Sequence, residues 1–188
     1  MIIPDAVIPS PHFKVPSSPR TIKNLVVHVT INQCNTGVAR NVARWFQTPM
    51  IGADHKSHPA SAHYIVGPDE IIQCVSDGNI AYHAKSPANE ISIGVELTAM
   101  ANWTSQQWAE IRVQEMLNRA AELFANKCSE HNIPAVFVPA HDLRFGRWGI
   151  TTHKEITEAW HVTDHTDPGP GFPMQQFIDL IDRKLTPP

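Results

Sequence analysis

Apolar and polar residues alternate in KNLVVHVT (23–30), which places Leu25, Val27 and Val29 on one face and Val26, His28 and Thr30 on the other. A period of two with this β-branched content predicts a strand. ISIGVELT (91–98) alternates in the same way, with Ile91, Ile93, Val95 and Leu97 opposite Ser92, Gly94 and Glu96. AHYIVG and EIIQCVS predict two further strands, joined as a hairpin by a turn at Pro68-Asp69. A helical period takes over in GVARNVARWFQ (37–47), where Val38, Val42, Trp45 and Phe46 share a face. Thr104 and Gln107 form a capping box that opens the longest predicted helix. Its stripe is Trp108, Ile111, Met116, Leu117, Ala120, Leu123 and Phe124. PAVFV (134–138) predicts a short strand and FIDLIDRKL a final amphipathic helix. Strands and helices interleaved in this order predict an α/β layered domain built on one sheet.

Composition narrows the picture. The chain has 188 residues, 42% of them hydrophobic and 18% charged, which is globular and enough for one core. Residues 1–20 carry five prolines and little periodicity, so they predict an extended arm ahead of a single domain over 21–188. A net charge of −3 leaves no basic footprint for nucleic acid or an anionic membrane. The N-terminus lacks the pattern of a secretory leader, and no apolar run approaches the ~18 residues of a membrane span. Cys34, Cys74 and Cys128 are widely spaced and odd in number, the pattern of reduced, buried thiols in a cytoplasmic product. Sixteen prolines stiffen the loops, and eleven histidines exceed what a core needs.

Four positions carry candidate chemistry. His28 lies inside an apolar strand, either as a satisfied core residue or as a ligand. Glu96, inside ISIGVEL, costs several kcal/mol to bury unpaired and so requires a partner or an open cleft. Gly94, two residues before it, leaves room for a ligand. His153 in GITTHKEI precedes a predicted helical turn. HTDPGPGFP (165–173) is either a plain loop terminator or a stiff bracket, in which Pro168 restricts Asp167. Two histidines and a carboxylate make a catalytic zinc set with a fourth position open to water. Beside it Glu96 could serve as general base and His165 as an oxyanion donor.

Six segments occur in a familiar order: VVHVT, SAHYIVGPDEIIQCV, AYHA, SIGVEL, GITTHKEI and HTDPGPGFP. From about residue 22 to 182 the chain resembles the zinc-dependent N-acetylmuramoyl-L-alanine amidases of the type-2 family, which includes the animal peptidoglycan-recognition proteins. The resemblance implies a central mixed β-sheet flanked by helices, with one catalytic zinc ion in a surface cleft. By position it implies zinc ligands at His28, His153 and Asp167, a catalytic glutamate at Glu96, and His165 where many members carry a lysine. A histidine there makes activity more sensitive to pH. His63 and His83 are expected to line the substrate groove. The segment between His153 and Asp167 is longer than in the shorter members and holds His161 as a competing ligand.

The implied activity is hydrolysis of the amide between N-acetylmuramic acid and the L-alanine of the stem peptide. The implied partner is bacterial peptidoglycan, met by a monomer that neither binds nucleic acid nor inserts into a membrane. The missing leader, the proline-rich loops and the HTDPGP variant suggest a phage endolysin domain directed at mycobacterial-type walls. Such an enzyme is made in the host cytoplasm and reaches the wall after holin-type release. Two other functions remain open: a non-catalytic peptidoglycan-binding module and a cytoplasmic muropeptide-recycling amidase.

Overall fold

The computed structural model describes residues 3–51 and 55–186. Part of the predicted polar loop at 48–61 therefore lies outside the described residues. The chain runs β1 (Ala6–Val7), β2 (Phe13–Lys14), β3 (Asn24–Val29), α1 (Val38–Trp45), β4 (Tyr64–Val66), β5 (Ile71–Gln73), β6 (Ile80–Ala81), α2 (Ala88–Ile91) and β7 (Ser92–Leu97). It continues through α3 (Ser105–Trp108), α4 (Ile111–His131), α5 (Ala140–Arg144), β8 (Gly149–Thr152), α6 (His153–Trp160) and α7 (Met174–Leu185). The main sheet has the order β1-β5-β4-β7-β3-β8 and is mixed. Strands β4, β7, β3 and β8 run parallel, while β5 pairs antiparallel to β4 and parallel to β1. A single α/β domain with a mixed sheet between helices is the fold that the patterning and the resemblance implied.

The alternation in β3 and β7 sorts the two faces. Leu25, Val27, Val29, Ile93, Val95 and Leu97 pack beneath α4 and α7, against Met116, Leu117, Phe124, Phe177 and Ile181. Apolar contact of this kind on every turn of both helices supplies most of the folding drive. The opposite face is covered in two separate patches. Val26 meets Ala84, Leu143, Ile156 and Ala159, whereas Ile65 and Ile72 meet Ala39, Ala43 and Phe46. Between these patches the ends of β3 and β7 are left open, and a cleft forms there.

Three local expectations are corrected. In α1 the buried stripe is Ala39, Ala43 and Phe46, and Trp45 is 54% exposed. Small alanines allow the helix to lie close on the sheet, which turns the tryptophan outward. The long helix is broken after Trp108: Thr104 makes the capping box with Gln107, Glu110 is extended, and α4 begins at Ile111, which is 81% exposed. Gln114 Nε2 caps the break by donating to Trp108 O at 2.8 Å. PAVFV forms no regular strand; it makes one parallel bridge, Phe137 to Ile150.

The proline-rich N-terminal segment lies along the domain. β1 extends the sheet beside β5, Asp5 accepts from Ile71 N–H at 2.7 Å, and buried Ser10 donates to Phe46 O at 2.8 Å. The three cysteines are free and buried. Among the described residues no helix is long and apolar enough to cross a membrane.

Candidate metal centre and active site

Parallel strands place their functional residues at the carboxyl edge of the sheet, where open α/β sheets bind ligands. His28 and Glu96 are register partners at the penultimate positions of β3 and β7. His153 follows β8 directly and opens α6, whose N-cap Thr152 accepts from Glu155 N–H at 3.2 Å. Asp167 arrives from the loop after α6, and its carbonyl accepts from Lys154 N–H at 3.0 Å. That bond ties the loop to the turn carrying His153.

His28 Nδ1 lies 3.0 Å from His153 Nδ1 and 3.3 Å from Asp167 Oδ2, and His153 Nδ1 lies 3.3 Å from Asp167 Oδ1. All three side chains are buried and offer one ligand atom each to a common point. A tetrahedral zinc site with bonds of about 2.0–2.2 Å needs ligand separations of about 3.3 Å. The donor set therefore fits zinc in both chemistry and spacing. Burial alone would raise the Asp167 carboxyl, but hydrogen bonds from His153 and His28 outweigh it and hold the group well below its usual range. Burial pulls the His153 imidazole below its ordinary value, which favours the neutral form that ligates.

Glu96 borders this cluster with Oε2 buried and without a hydrogen-bond partner among the described residues. Burial, together with the nearby Asp167 charge, pushes its pKa up to about 8. Such a carboxyl is ionised, and so able to act as a base, where a nearby cation offsets the burial. His165 is 56% exposed at the cleft, and its ring stacks on His153 with centroids 4.2 Å apart and planes 9° apart. Its Nδ1 stands 3.5 Å from Asp167 Oδ1.

The loop that carries both residues is closely fitted. Gly169 has φ +89°, and a Cβ there would overlap Ala101 O. A Cβ on Gly171 would overlap Trp103 O. Phe172 anchors the end of the loop in the core, edge-on to Trp108 at 5.0 Å. HTDPGPGFP is thus a bracket held against the 101–104 backbone rather than a plain terminator.

Of the two histidines expected to line the groove, His83 borders the cleft and His63 does not. His63 is fully buried, with Nδ1 accepting from Gly94 N–H at 3.0 Å and Nε2 facing Asn79 O at 3.1 Å. His83 borders the cleft, but its nitrogens face His28 Nε2 at 3.0 Å and Ser92 Oγ at 3.2 Å. Neither has a nitrogen left for substrate. The space above Gly94 is filled by the His83 ring. His161 caps the C-terminus of α6, and His141 pairs with Asp142; neither joins the cluster. His131 is partly buried 3.7 Å from Asp77. Asp77, Glu130 and His131 form a second group with metal-ligand spacing, but the Lys127 ammonium already bridges its carboxylates at 2.6 and 2.9 Å.

The cleft has a volume of about 870 Å³ and runs from the cluster to α1, past Tyr82, Lys85, Asn41 and Trp45. The sequence pattern places Trp45 on the buried face of α1 and assigns no cleft role to Asn41, Tyr82 or Lys85. The Ala39/Ala43 pair, four residues apart and followed by Phe46, was the available signal for the true face.

Comparison with known proteins agrees with this geometry. A family model described as N-acetylmuramoyl-L-alanine amidase matches residues 18–170. The structure is similar to the Staphylococcus aureus hydrolase AmiA, solved in complex with its ligand, at TM-score 0.68 and 19% identity over 96% of this chain and 81% of that one. It is similar to AmpD at TM-score 0.65 and 19% identity, with 96% of each chain covered. A mutant endolysin from Bacillus subtilis aligns at TM-score 0.60 and 18% identity, covering 95% of this chain and 99% of that one. No curated protein sequence matches. At these identities the structures establish the fold, while the family model spans most of the sequence, including His28, Glu96, His153 and Asp167. The chain belongs to the N-acetylmuramoyl-L-alanine amidase family.

Proposed function

We propose that the protein is a zinc-dependent peptidoglycan hydrolase. It cleaves the amide between the lactyl group of N-acetylmuramic acid and the L-alanine of the stem peptide. The observation that carries this reading is the trio His28, His153 and Asp167 at ligand spacing, with the unpaired Glu96 carboxylate beside it, at the head of a cleft. Bound by that trio, zinc would supply a Lewis acid that polarises the scissile carbonyl and acidifies water. Glu96 takes the proton of the attacking water and returns it to the departing alanine nitrogen. His165 donates an N–H to the oxygen on which negative charge develops. The cleft walls hold glycan and peptide, with Trp45 and Tyr82 offering aromatic faces.

The biological setting we infer is phage-driven lysis, in which the enzyme accumulates in the host cytoplasm, is released by a holin, and acts as a monomer on the wall. The likeness to an endolysin over nearly the full length of both chains supports it. Mass spectrometry of digested sacculi tests the activity: new N-terminal L-alanine and intact glycan strands are expected, with one zinc per chain. Release of reducing sugars in place of alanine would overturn the reading. A preference for soluble anhydro-muropeptides over intact sacculi would leave the amidase and remove the lytic role.

A further inference from the structure

Behind the metal cluster runs a chain of hydrogen bonds whose direction can be read from its far end. Ser92 Oγ donates its only proton to Ala88 O at 2.6 Å. Toward His83 Nε2, 3.2 Å away, the hydroxyl can therefore only accept. His83 is then the Nε2–H tautomer, and its Nδ1 carries a lone pair. That lone pair faces His28 Nε2 at 3.0 Å, which places the His28 proton on Nε2. His28 Nδ1 is left bare toward His153 and Asp167. The opposite tautomer has its own attraction, because Asp167 Oδ2 at 3.3 Å would welcome a proton on Nδ1. A protonated Nδ1 cannot ligate a metal, so the acceptor on His83 decides the competition.

The surroundings leave His83 one place to be. Asn89 Oδ1 accepts from the backbone N–H groups of both His83 and Ala84, at 3.1 and 2.8 Å. His63 stands edge-on to the ring at 5.7 Å. Underneath, any side chain at Gly94 would overlap the imidazole. The glycine in SIGVEL is thus the seat of a ring, and AYHA and SIGVEL form one device.

We propose that His83, held by Ser92, Asn89 and the bare backbone of Gly94, is a positioning residue that sets the tautomer of His28 and presents Nδ1 as a ligand. The proposal rests on the reading above in taking zinc as the ion. Long-range proton–nitrogen NMR of the metal-free protein reads the tautomer directly. His28 is expected as Nε2–H in the wild type and in His83→Asn, whose Oδ1 replaces the acceptor, and as Nδ1–H in His83→Leu. Competition with a chromophoric chelator should show zinc affinity reduced about 10–100-fold in His83→Leu and in Gly94→Ala, and largely rescued in His83→Asn. A wild-type His28 protonated on Nδ1 would overturn the proposal, and so would a folded His83→Leu that binds zinc as tightly as the wild type. Because neither measurement uses peptidoglycan, a failed amidase assay would refute the proposed function and leave this relay standing.

Discussion

At the scale of single residues, the site is a line of imidazoles with a carboxylate at each side. His165 stacks on His153, His153 meets His28 edge-on at 4.6 Å, His28 meets His83 at 5.1 Å, and His83 meets His63 at 5.7 Å. Roles along this line follow from which nitrogens are already used. His63 spends both on backbone groups, whereas His28 spends one and keeps one. Glu96→Gln keeps the shape of the side chain and removes its basicity. It should retain zinc while turnover falls about 10²–10⁴-fold, the usual worth of a general base; activity near wild type would rule out that role. Replacing His165 with alanine should retain zinc and lower kcat about 10²–10³-fold, the usual worth of one oxyanion donor, and lysine, which keeps a donor there, should restore most of it. Unchanged turnover in His165→Ala would exclude His165 as an oxyanion donor.

At the scale of elements, two connections hold the site together. One is the bracket at 165–173, whose glycines lie against Ala101 and Trp103. Gly171→Ala forces backbone apart in a packed region and should cost about 1–3 kcal/mol, measured by urea unfolding. The other connection joins β4 to α4. Lys127 Nζ lies 2.6 Å from Asp77 Oδ2, and Tyr64 donates its hydroxyl to Asp77 Oδ1 at 2.8 Å. Burial alone would raise the Asp77 carboxyl, but the hydrogen bond and charge of Lys127 overcome it and leave the group below its ordinary value. A depressed carboxyl stabilises the fold fully above its unfolded pKa of about 3.9, and the contribution is lost as pH falls through the folded value. Asp77→Asn should therefore cost about 3 kcal/mol at neutral pH and less in acid, as unfolding curves between pH 3 and 7 would show. An equal cost at both ends would mean that the ion pair is not the source.

At the scale of the whole molecule, a zinc ion held by the trio would tie together β3, the start of α6 and the loop before α7. Ligand held at ~100 times its dissociation constant adds about 2.7 kcal/mol. Chelation should accordingly lower the melting temperature by roughly 5–10 °C for a domain of this size. The far-UV signature should persist, because neither core cluster includes His28, His153 or Asp167. An unchanged melting temperature would mean that the trio holds no metal. Much of this architecture was legible in the chain. Strict alternation in 23–30 and 91–98 sets which residues face the large core, because a strand has no freedom to turn one side chain without turning all. The order of six motifs likewise pointed to His28, Glu96, His153 and Asp167. Other features depended on packing between distant segments. Trp45 faces the cleft because Ala39 and Ala43 fit the sheet more closely than Val38 and Val42 do. The helix at 104–131 breaks because Gln114 caps Trp108. His63 and His83 look alike in sequence, as isolated histidines in apolar stretches. Only the fold distinguishes their duties, because a hydrogen bond to residue 79 or to residue 28 depends on where chains 16 and 55 residues apart come to rest. Local pattern therefore determined the elements, their faces and the set of candidate ligands, which are properties of short segments. Tertiary structure alone decided which nitrogen of each ring is free, because that depends on partners brought close by the folded sheet.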